Sequence, residues 1–208
     1  MKNKISIAAL TFFSILNLQA QELTPKKQNA LYVKANALFL PIGIFNAGLE
    51  YQLSPKYTLQ GDVFISPWKS FAGHELQYYS ASVEARYYFN EAFTGWHLGV
   101  NVGVSSFVLQ KWNYWGDDLF VNEKNEVFVE SNLYQKGYSF LAGVTAGYQF
   151  RLSDQWKMDI YGTVGTSQDI YKGYERGTGK RYDEAKGWNR SGEIIPYRGG
   201  VMISYQLK

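Results

Sequence analysis

A two-residue alternation of apolar with polar or small side chains runs through the chain from residue 30 onward and most constrains its fold. Residues 96–108 and 138–150 show it most clearly, and in 138–150 aromatic residues stand at both ends of the apolar face, with small aliphatic residues between them. Because successive side chains of a strand point to opposite faces, this period predicts β-strands rather than amphipathic helices. The same pattern predicts further strands near residues 31–39, 44–53, 57–66, 76–89, 156–165 and 197–207.

The predicted strands are joined by connections of two kinds. The connections at 54–56, 90–95 and 151–155 are short turns, and they alternate with connections at 40–43, 67–75, 110–136 and 166–196. Short periplasmic turns that alternate with longer external loops are typical of outer-membrane barrels. We therefore predict an all-β fold, an eight-stranded antiparallel up-and-down transmembrane β-barrel, located in the cell outer membrane with both termini periplasmic.

The charged residues of the predicted strands favour a membrane barrel over a soluble one. They fall on the less apolar face, whereas the opposite face carries almost no charge, and a soluble sandwich or lipocalin-like barrel, the alternative, would show the reverse arrangement. An eight-stranded lumen is just wide enough for side chains to fill it, so we predict a filled lumen with a network of interior salt bridges rather than a proton path. The predicted luminal charges are Glu50, Asp62, Glu84, Arg86 and Arg198.

The first 20 residues have the pattern of a secretory signal. Lys2 and Lys4 precede an apolar run that ends near Leu18, and Ala20 stands where cleavage is expected. An uncleaved anchor is the alternative. We predict a signal peptide over 1–20, a short periplasmic segment over 21–29 and the barrel over 30–208. The chain has no cysteine and 2 histidines, so we predict neither a metal site nor a cofactor.

The chain resembles the small outer-membrane barrels of the OmpA and OmpX type. It also resembles an uncharacterised family of secreted barrel proteins, through the turn at 53–57, Leu-Ser-Pro-Lys-Tyr, and the aromatic-rich segment 78–89. The resemblance covers the mature chain and implies an outer-membrane location without any assigned activity. One departure is the carboxyl end, where the aromatic Tyr205 is followed by three further residues instead of closing the chain.

The sequence provides little for catalysis. A net charge of +3 is too balanced for a nucleic-acid partner, and the Gly-Lys segment at 173–180 lacks the spacing and the Ser or Thr of a phosphate-binding loop. His74, beside Glu75 in an external connection, is the one histidine at the external rim. We therefore predict a protein that is not an enzyme. A lipid-directed hydrolase or acyltransferase with a rim histidine is the alternative.

The external loops 110–136 and 166–196 are the predicted sites of interaction, because they exceed what joining two strands requires. Trp112, Tyr114 and Trp115 offer aromatic surface for a sugar or a protein partner, although an interfacial aromatic belt would explain them equally well. The predicted function is envelope structure, or binding and assembly in a larger complex. The predicted partners are outer-membrane lipid and lipopolysaccharide, with a protein companion on the loops.

Overall fold

Eight antiparallel strands close into a ring in a computed structural model of the chain. The structure describes residues 30–122, 124–183 and 187–207. Two further short strands, β6 and β7, form a separate hairpin. The strands are β1 (Leu31–Asn36), β2 (Phe45–Gln52), β3 (Tyr57–Phe71), β4 (His74–Tyr88), β5 (Gly95–Leu109), β6 (Leu119–Val121), β7 (Val127–Val129), β8 (Leu133–Arg151), β9 (Trp156–Glu175) and β10 (Asn189–Gln206).

Each strand of the ring pairs with its neighbours in chain order, and β5 pairs with β8 across the inserted hairpin. The all-β, eight-stranded, antiparallel up-and-down prediction is thereby confirmed. The connections 53–56, 89–94 and 152–155 are short and share one end of the ring, which we call the turn end. Leu31 and Leu207 lie there too, joined by a backbone hydrogen bond of 2.8 Å. Within the described residues, no helix is long and apolar enough to cross a membrane.

The strands extend further at the opposite end of the ring, which we call the external end after the predicted topology, than the alternation predicts. The expected connection 67–75 is mostly strand, because β3 and β4 run to a tight turn at Ala72 and Gly73, both with positive φ. The expected loop 166–196 is also largely strand, and the true connection there is 176–188. The expected loop 110–136 shortens to 110–132. It contains the β6–β7 hairpin and two 3-10 helices, Trp112–Tyr114 and Glu130–Asn132.

The ring is fully closed only near the turn end. β1 pairs with β10 from Asn36↔Met202 to Tyr32↔Gln206, and β2 pairs with β3 no further than Phe45↔Ile65. Residues 189–200 of β10 therefore have a strand partner, β9, on one side alone. The gap above β1 is partly spanned by the connection 37–44, which contains the 3-10 helix Leu40–Ile42.

The ring is apolar outside and polar inside. On β5 and β8, the outward-facing Val102 and Val144 are 62% and 63% exposed, whereas the inward-facing Asn101 and Thr145 are each 1% exposed. This polarity is the reverse of that of a soluble barrel and follows the face assignment made from the alternation. The fully buried side chains accordingly include charged groups such as Lys34, Glu50, Glu84 and Arg86.

Aromatic rings surround the outer wall at the turn end. Tyr57 packs on Tyr87 with ring centroids 5.2 Å apart, and Trp96 packs on Tyr148 at the same distance of 5.2 Å. Trp156 contacts Tyr205 at 4.9 Å, so the belt continues across β9 and β10. The predicted signal peptide over 1–20 and the segment 21–29 lie outside the described residues.

Candidate functional site

Charged side chains fill the turn-end half of the lumen, beginning with Lys34 on β1. Its ammonium donates to Glu50 Oε2 at 2.7 Å, to Gln60 Oε1 at 3.0 Å and to Asp159 Oδ2 at 3.0 Å. The side chains of the lysine and of its two carboxylate partners are fully buried. A buried charge is costly unless it is paired and hydrogen-bonded, and this ammonium has three acceptors for its three protons.

Arg86 on β4 links the carboxylates of different strands. Its Nη1 lies 2.6 Å from Asp159 Oδ2 and 3.6 Å from Glu50 Oε2, and its Nε donates to Glu84. Glu84 also accepts a hydrogen bond of 2.8 Å from the Thr145 hydroxyl on β8, two strands away in the ring. The arginine therefore ties β4 to β2 and β9 through side chains alone.

A β-bulge in β10 brings Arg198 into the same group. The register against β9 shifts between Pro196 and Arg198, so Tyr197 is an extra residue in the strand. Tyr197 donates to Asn101 Oδ1 at 2.8 Å, and Arg198 forms ion pairs with Asp62 and Glu84. Two consecutive side chains thus reach lumen partners, as a bulge permits. All five residues predicted for the luminal charge network lie in it together.

Sequence reasoning missed three members of this group, which we call the luminal ion network. They are Lys34, Asp159 and His97, whose Nε2 lies 2.8 Å from Asp159 Oδ1. Alternation placed all three on the inward face, but it does not show which inward residues meet across the lumen. Among the described residues, the network consists of Lys34, Glu50, Asp62, Glu84, Arg86, His97, Asp159 and Arg198.

Glycine makes room for the network. A Cβ at Gly147 would lie 2.6 Å from His97 Nε2, and a Cβ at Gly99 would lie 2.9 Å from Glu84 Oε1. Real Cβ atoms do not approach other atoms so closely, so a larger residue at either position would displace a charged group. The turn-end half of the lumen is therefore packed with side chains.

The external half of the lumen is open, which corrects the prediction of a lumen filled along its whole length. A cavity of about 1380 Å³ lies above the level of Tyr197 and Arg198. Its walls carry short serine side chains, such as Ser80 and Ser139, where the turn-end half carries long charged ones. We call this space the external cavity. Its apolar lining includes Phe64, Leu76, Tyr78, Phe107, Leu109, Leu141 and Ile195.

Asp169 on β9 is a carboxylate in the wall of the external cavity. Its Oδ1 accepts hydrogen bonds from Ser139 at 2.5 Å and from Ser167 at 2.6 Å, and its Oδ2 accepts one from Ser191 at 3.3 Å. Among the residues described, no cationic group forms an ion pair with Asp169. Hydroxyl groups orient a carboxylate but do not neutralise it, so its negative charge faces the cavity.

The external connections pack into a small core of their own, the external cap. Tyr114, Phe128, Leu133 and Tyr182 are its buried members. Burial of the Tyr182 ring raises the pKa of its hydroxyl well above the ordinary tyrosine value. Tyr114 is therefore a core residue, which corrects the prediction that all three loop aromatics present contact surface.

Arg176 and Asp183 join the cap to β4 and β9 of the ring, and Lys180 joins the two connections of the cap to each other. Arg176 donates to Glu75 at 2.8 and 2.6 Å, and Lys180 donates to Glu126 at 2.9 Å. Asp183 accepts a 2.6 Å bond from the Gly173 amide. Burial alone would raise the pKa of Asp183, but hydrogen bonds from Arg181 and from this amide outweigh that effect and lower it.

Trp112 and Trp115 are exposed on the cap, at 83% and 58% of their surface. Trp115 stacks on His74 with centroids 4.3 Å apart and planes at 8°. The second described contact of His74 is with Gln110 Oε1, 2.9 Å from its Nδ1. Neither neighbour is a nucleophile or a carboxylate, so the rim-histidine hydrolase gains no support from this arrangement.

The β6–β7 hairpin adds an exposed aliphatic face, the hairpin face, to the cap. Leu119, Val121 and Val127 are 67%, 55% and 61% exposed, while Phe128 on the opposite face is 4% exposed. The turn of the hairpin is closed by a backbone bond of 3.1 Å from the amide of Asn122 to Glu126 O. Its position is fixed because the buried side of the hairpin packs on Tyr182.

The described part of the chain contains no group of three or more metal-ligating side chains placed to hold an ion.

A family model described as "Protein of unknown function (DUF3575)" matches residues 7–207. The chain belongs to the DUF3575 family. The resemblance to an uncharacterised family is thereby supported, whereas the likeness of this DUF3575 chain to OmpA and OmpX stays a prediction. No curated protein matches it. No solved structure matches it either.

Proposed function

We propose that this DUF3575 chain is a non-enzymatic outer-membrane barrel that binds a protein companion through its external cap. The observation that carries the membrane part is the inverted polarity of the ring. Charges such as Glu50 and Arg86 are buried in the lumen, and aliphatic side chains such as Val102 and Val144 cover the outside. Such a wall is stable against lipid and unfavourable in water, because it would expose a large apolar surface.

The aromatic belt at the turn end supports the same proposal. Tyrosine and tryptophan favour the boundary between lipid and water, where the ring is in an apolar environment and the polar atom is hydrated. Between Trp156 and Val164 the outward residues of β9 are apolar, and beyond them Gln168 and Lys172 are polar. A tilted strand needs about 9–11 residues to cross a bilayer, so the apolar band has the required height.

The cap supports the proposed binding role. The hairpin face and Trp112 are apolar surface beyond the apolar band of the wall, where lipid tails would not cover them. Exposed apolar patches on a rigid support are characteristic of protein interaction sites. Outer-membrane lipid and lipopolysaccharide are the proposed partners of the wall. A purely structural role in the envelope would leave the hairpin face without a partner.

One experiment tests both parts of the proposal. The full chain is recovered from separated inner and outer membranes, and its companions are isolated in a mild detergent. We expect the protein in the outer membrane, with a companion that is lost when Leu119, Val121 and Val127 are all changed to Thr.

The matched control is Ile194→Thr, a change at an aliphatic residue of the wall that is 83% exposed. We expect this variant to keep the companion. Recovery of the wild type from the soluble periplasm would contradict the membrane proposal. An outer-membrane protein that purifies alone, or that keeps its companion in the triple variant, would contradict the binding role.

A further inference from the structure

Three cations lie close together on the outer wall, at the external end of β8, β9 and β10. Lys136 on β8 pairs in register with Lys172 on β9, and Arg190 on β10 pairs with Ile170, which places it diagonally from Lys172. Even-numbered residues of β8 face outward, as Val144 does, and residues paired in register share a face. Cβ atoms of directly opposite residues are about 4.5–5.5 Å apart, and diagonal neighbours are about 7–8 Å apart. We call these three cations the basic patch.

The outward face around the basic patch carries no negative charge. The outward-facing residues of β8 over 134–150 and of β9 over 156–174 include neither Asp nor Glu. The carboxylates of the same region, Asp169 and Glu193, line the external cavity on the other face of the sheet, and so does the cation Lys111. The cations of the patch are therefore separated by the sheet from the charges of the cavity.

Carboxylates of the neighbouring cap are bound to cations of their own. Asp183 pairs with Arg181, and Glu126 pairs with Lys180 at 2.9 Å. Among the described residues, no carboxylate forms an ion pair with a member of the basic patch. Its positive charge is thus left for a ligand.

The two lysines of the patch repel each other in the absence of an anion. Like charges directly opposite each other on neighbouring strands destabilise a sheet. The ammonium of Lys172 lies 4.5 Å from the centroid of the Trp188 ring, and this ring packs on Tyr138 at 6.3 Å. An aromatic ring orients an ammonium but does not remove its charge. A phosphate group between the lysines would neutralise both, and charge-assisted hydrogen bonds to its oxygens are strong.

The basic patch adjoins the apolar band of the wall. Tyr138 and Phe140 are the next outward residues of β8 toward the turn end, and they are 56% and 58% exposed. A free phosphate ion would contact the cations alone, whereas a lipid would also cover this apolar surface with its hydrocarbon chains. Basic side chains at the edge of the hydrocarbon region are typical of sites for anionic lipid headgroups. The arrangement therefore favours a phosphorylated lipid.

We infer that the basic patch binds the phosphate group of an outer-leaflet lipid, whose hydrocarbon chains lie along Tyr138 and Phe140. The inference rests on the proposed outer-membrane location and assigns a fixed site to one of the proposed lipid partners. The patch and the hairpin face consist of different residues, so lipid binding does not require the protein companion.

Lipid binding to the full chain in a mild non-ionic detergent tests this inference. The probe is lipid A, a phosphorylated glucosamine lipid, and the bound lipid is counted by native mass spectrometry. We expect the variant that combines Lys136→Gln with Lys172→Gln to bind it more weakly, about tenfold for each lysine, which is the order of one hydrogen bond to a charged group.

Two control variants separate the site from the net charge. The variant that combines Lys136→Arg with Lys172→Arg keeps both cations and should retain the affinity. Lys69→Gln removes an exposed lysine at the external end of β3, three strands away from both β8 and β10, and should leave the affinity unchanged. Lipid A without its phosphates should not compete for the site, and inorganic phosphate in large excess should not displace the bound lipid.

Urea unfolding in phosphatidylcholine vesicles shows whether the glutamine variant folds. Its unfolding midpoint should be no lower than that of the wild type, because the repulsion between the lysines is gone. Addition of lipid A should raise the midpoint of the wild type and not that of the variant, since a ligand stabilises only the fold that binds it.

The outcomes distinguish this site from the proposed membrane location. Equal affinity of the wild type and the glutamine variant, or an equal loss in Lys69→Gln, would overturn the basic patch and leave the location standing. Displacement by inorganic phosphate would overturn the lipid as the ligand. Recovery of the protein from the soluble periplasm would overturn the location and, with it, the outer-leaflet lipid, whatever the affinity in detergent.

Discussion

Substitutions of single residues in the outer wall test the membrane proposal most directly. Val102 lies in the middle of β5, faces outward and is 62% exposed. We expect Val102→Arg to lower the free energy of unfolding in lipid by about 2–4 kcal/mol, because a guanidinium near the bilayer centre is desolvated. Urea titration of the protein in lipid vesicles measures this change in the free energy of unfolding.

The control at the same position is Val102→Thr, which keeps the branched shape and adds no charge. Gly103→Arg is a contrasting variant, since even a Cβ there would lie 2.9 Å from Ala81 O and the cost would come from crowding. If Val102→Arg left the free energy of unfolding unchanged, this face would not contact lipid.

Asp159 is the carboxylate of the luminal ion network that contacts three basic side chains. It faces Lys34, Arg86 and His97 with its side chain fully buried. We expect Asp159→Asn to cost about 3–5 kcal/mol, because removing one partner leaves buried cations uncompensated. Denaturant titration of the purified barrel measures this loss.

Asp154→Asn is the matched change on the surface. Its carboxylate is 91% exposed and pairs with Arg151 in a turn, where an ion pair contributes about 0–1 kcal/mol. If the two asparagine variants lost equal stability, the interior pairing would not be what holds this half of the lumen.

At the scale of elements, the joint between β9 and the external cap depends on Gly173. A Cβ at this position would overlap the ring of Tyr182, the central residue of the cap core. We expect Gly173→Ala to displace this ring and to increase protease cleavage in the connection 176–188 several-fold.

Gly177→Ala provides the comparison, because a Cβ there would have no atom within 4 Å. The barrel should migrate and unfold normally in both variants, since the cap lies beyond the closed part of the ring. Equal protease sensitivity of the two variants would show that Tyr182 is not what secures the connection.

The strands were predictable from sequence where they have two different environments. Between residues 96 and 108 one face is apolar and the other polar, so the period is visible and the faces are assigned correctly. Beyond Thr166 on β9 the outward Gln168 and Lys172 are as polar as the inward Ser167 and Asp169. The alternation disappears there, so strand was mistaken for loop.

The contents of the lumen were predictable only in part, for a related reason. Alternation shows that Glu84 and Arg198 face inward, but their contact depends on the register of β10 and on the bulge at Tyr197. Likewise, the short side chains of Ser80 and Ser139 leave a cavity whose volume depends on what lies opposite. A two-residue alternation predicts neither the contact between Glu84 and Arg198 nor the volume of the cavity.

For the molecule as a whole, closure predicts resistance to detergent. A ring without free edges near the turn end keeps its backbone hydrogen bonds internal, so detergent alone does not unravel it. We expect the unheated protein to migrate differently from the boiled protein on a detergent gel. Identical migration would indicate a fold that opens at room temperature.

Closure of the ring also determines when the fold can be completed. The Tyr32 hydroxyl donates to Gln206 Oε1 at 3.0 Å across 174 positions of the sequence. Contacts between such distant residues form late, because their loop-closure entropy must be offset by structure already present. Until β10 pairs with β1, the sheet has two edge strands with unpaired backbone N–H and C=O groups. During assembly, pairing of β10 with β1 therefore competes with pairing of these edges with strands of other protein molecules.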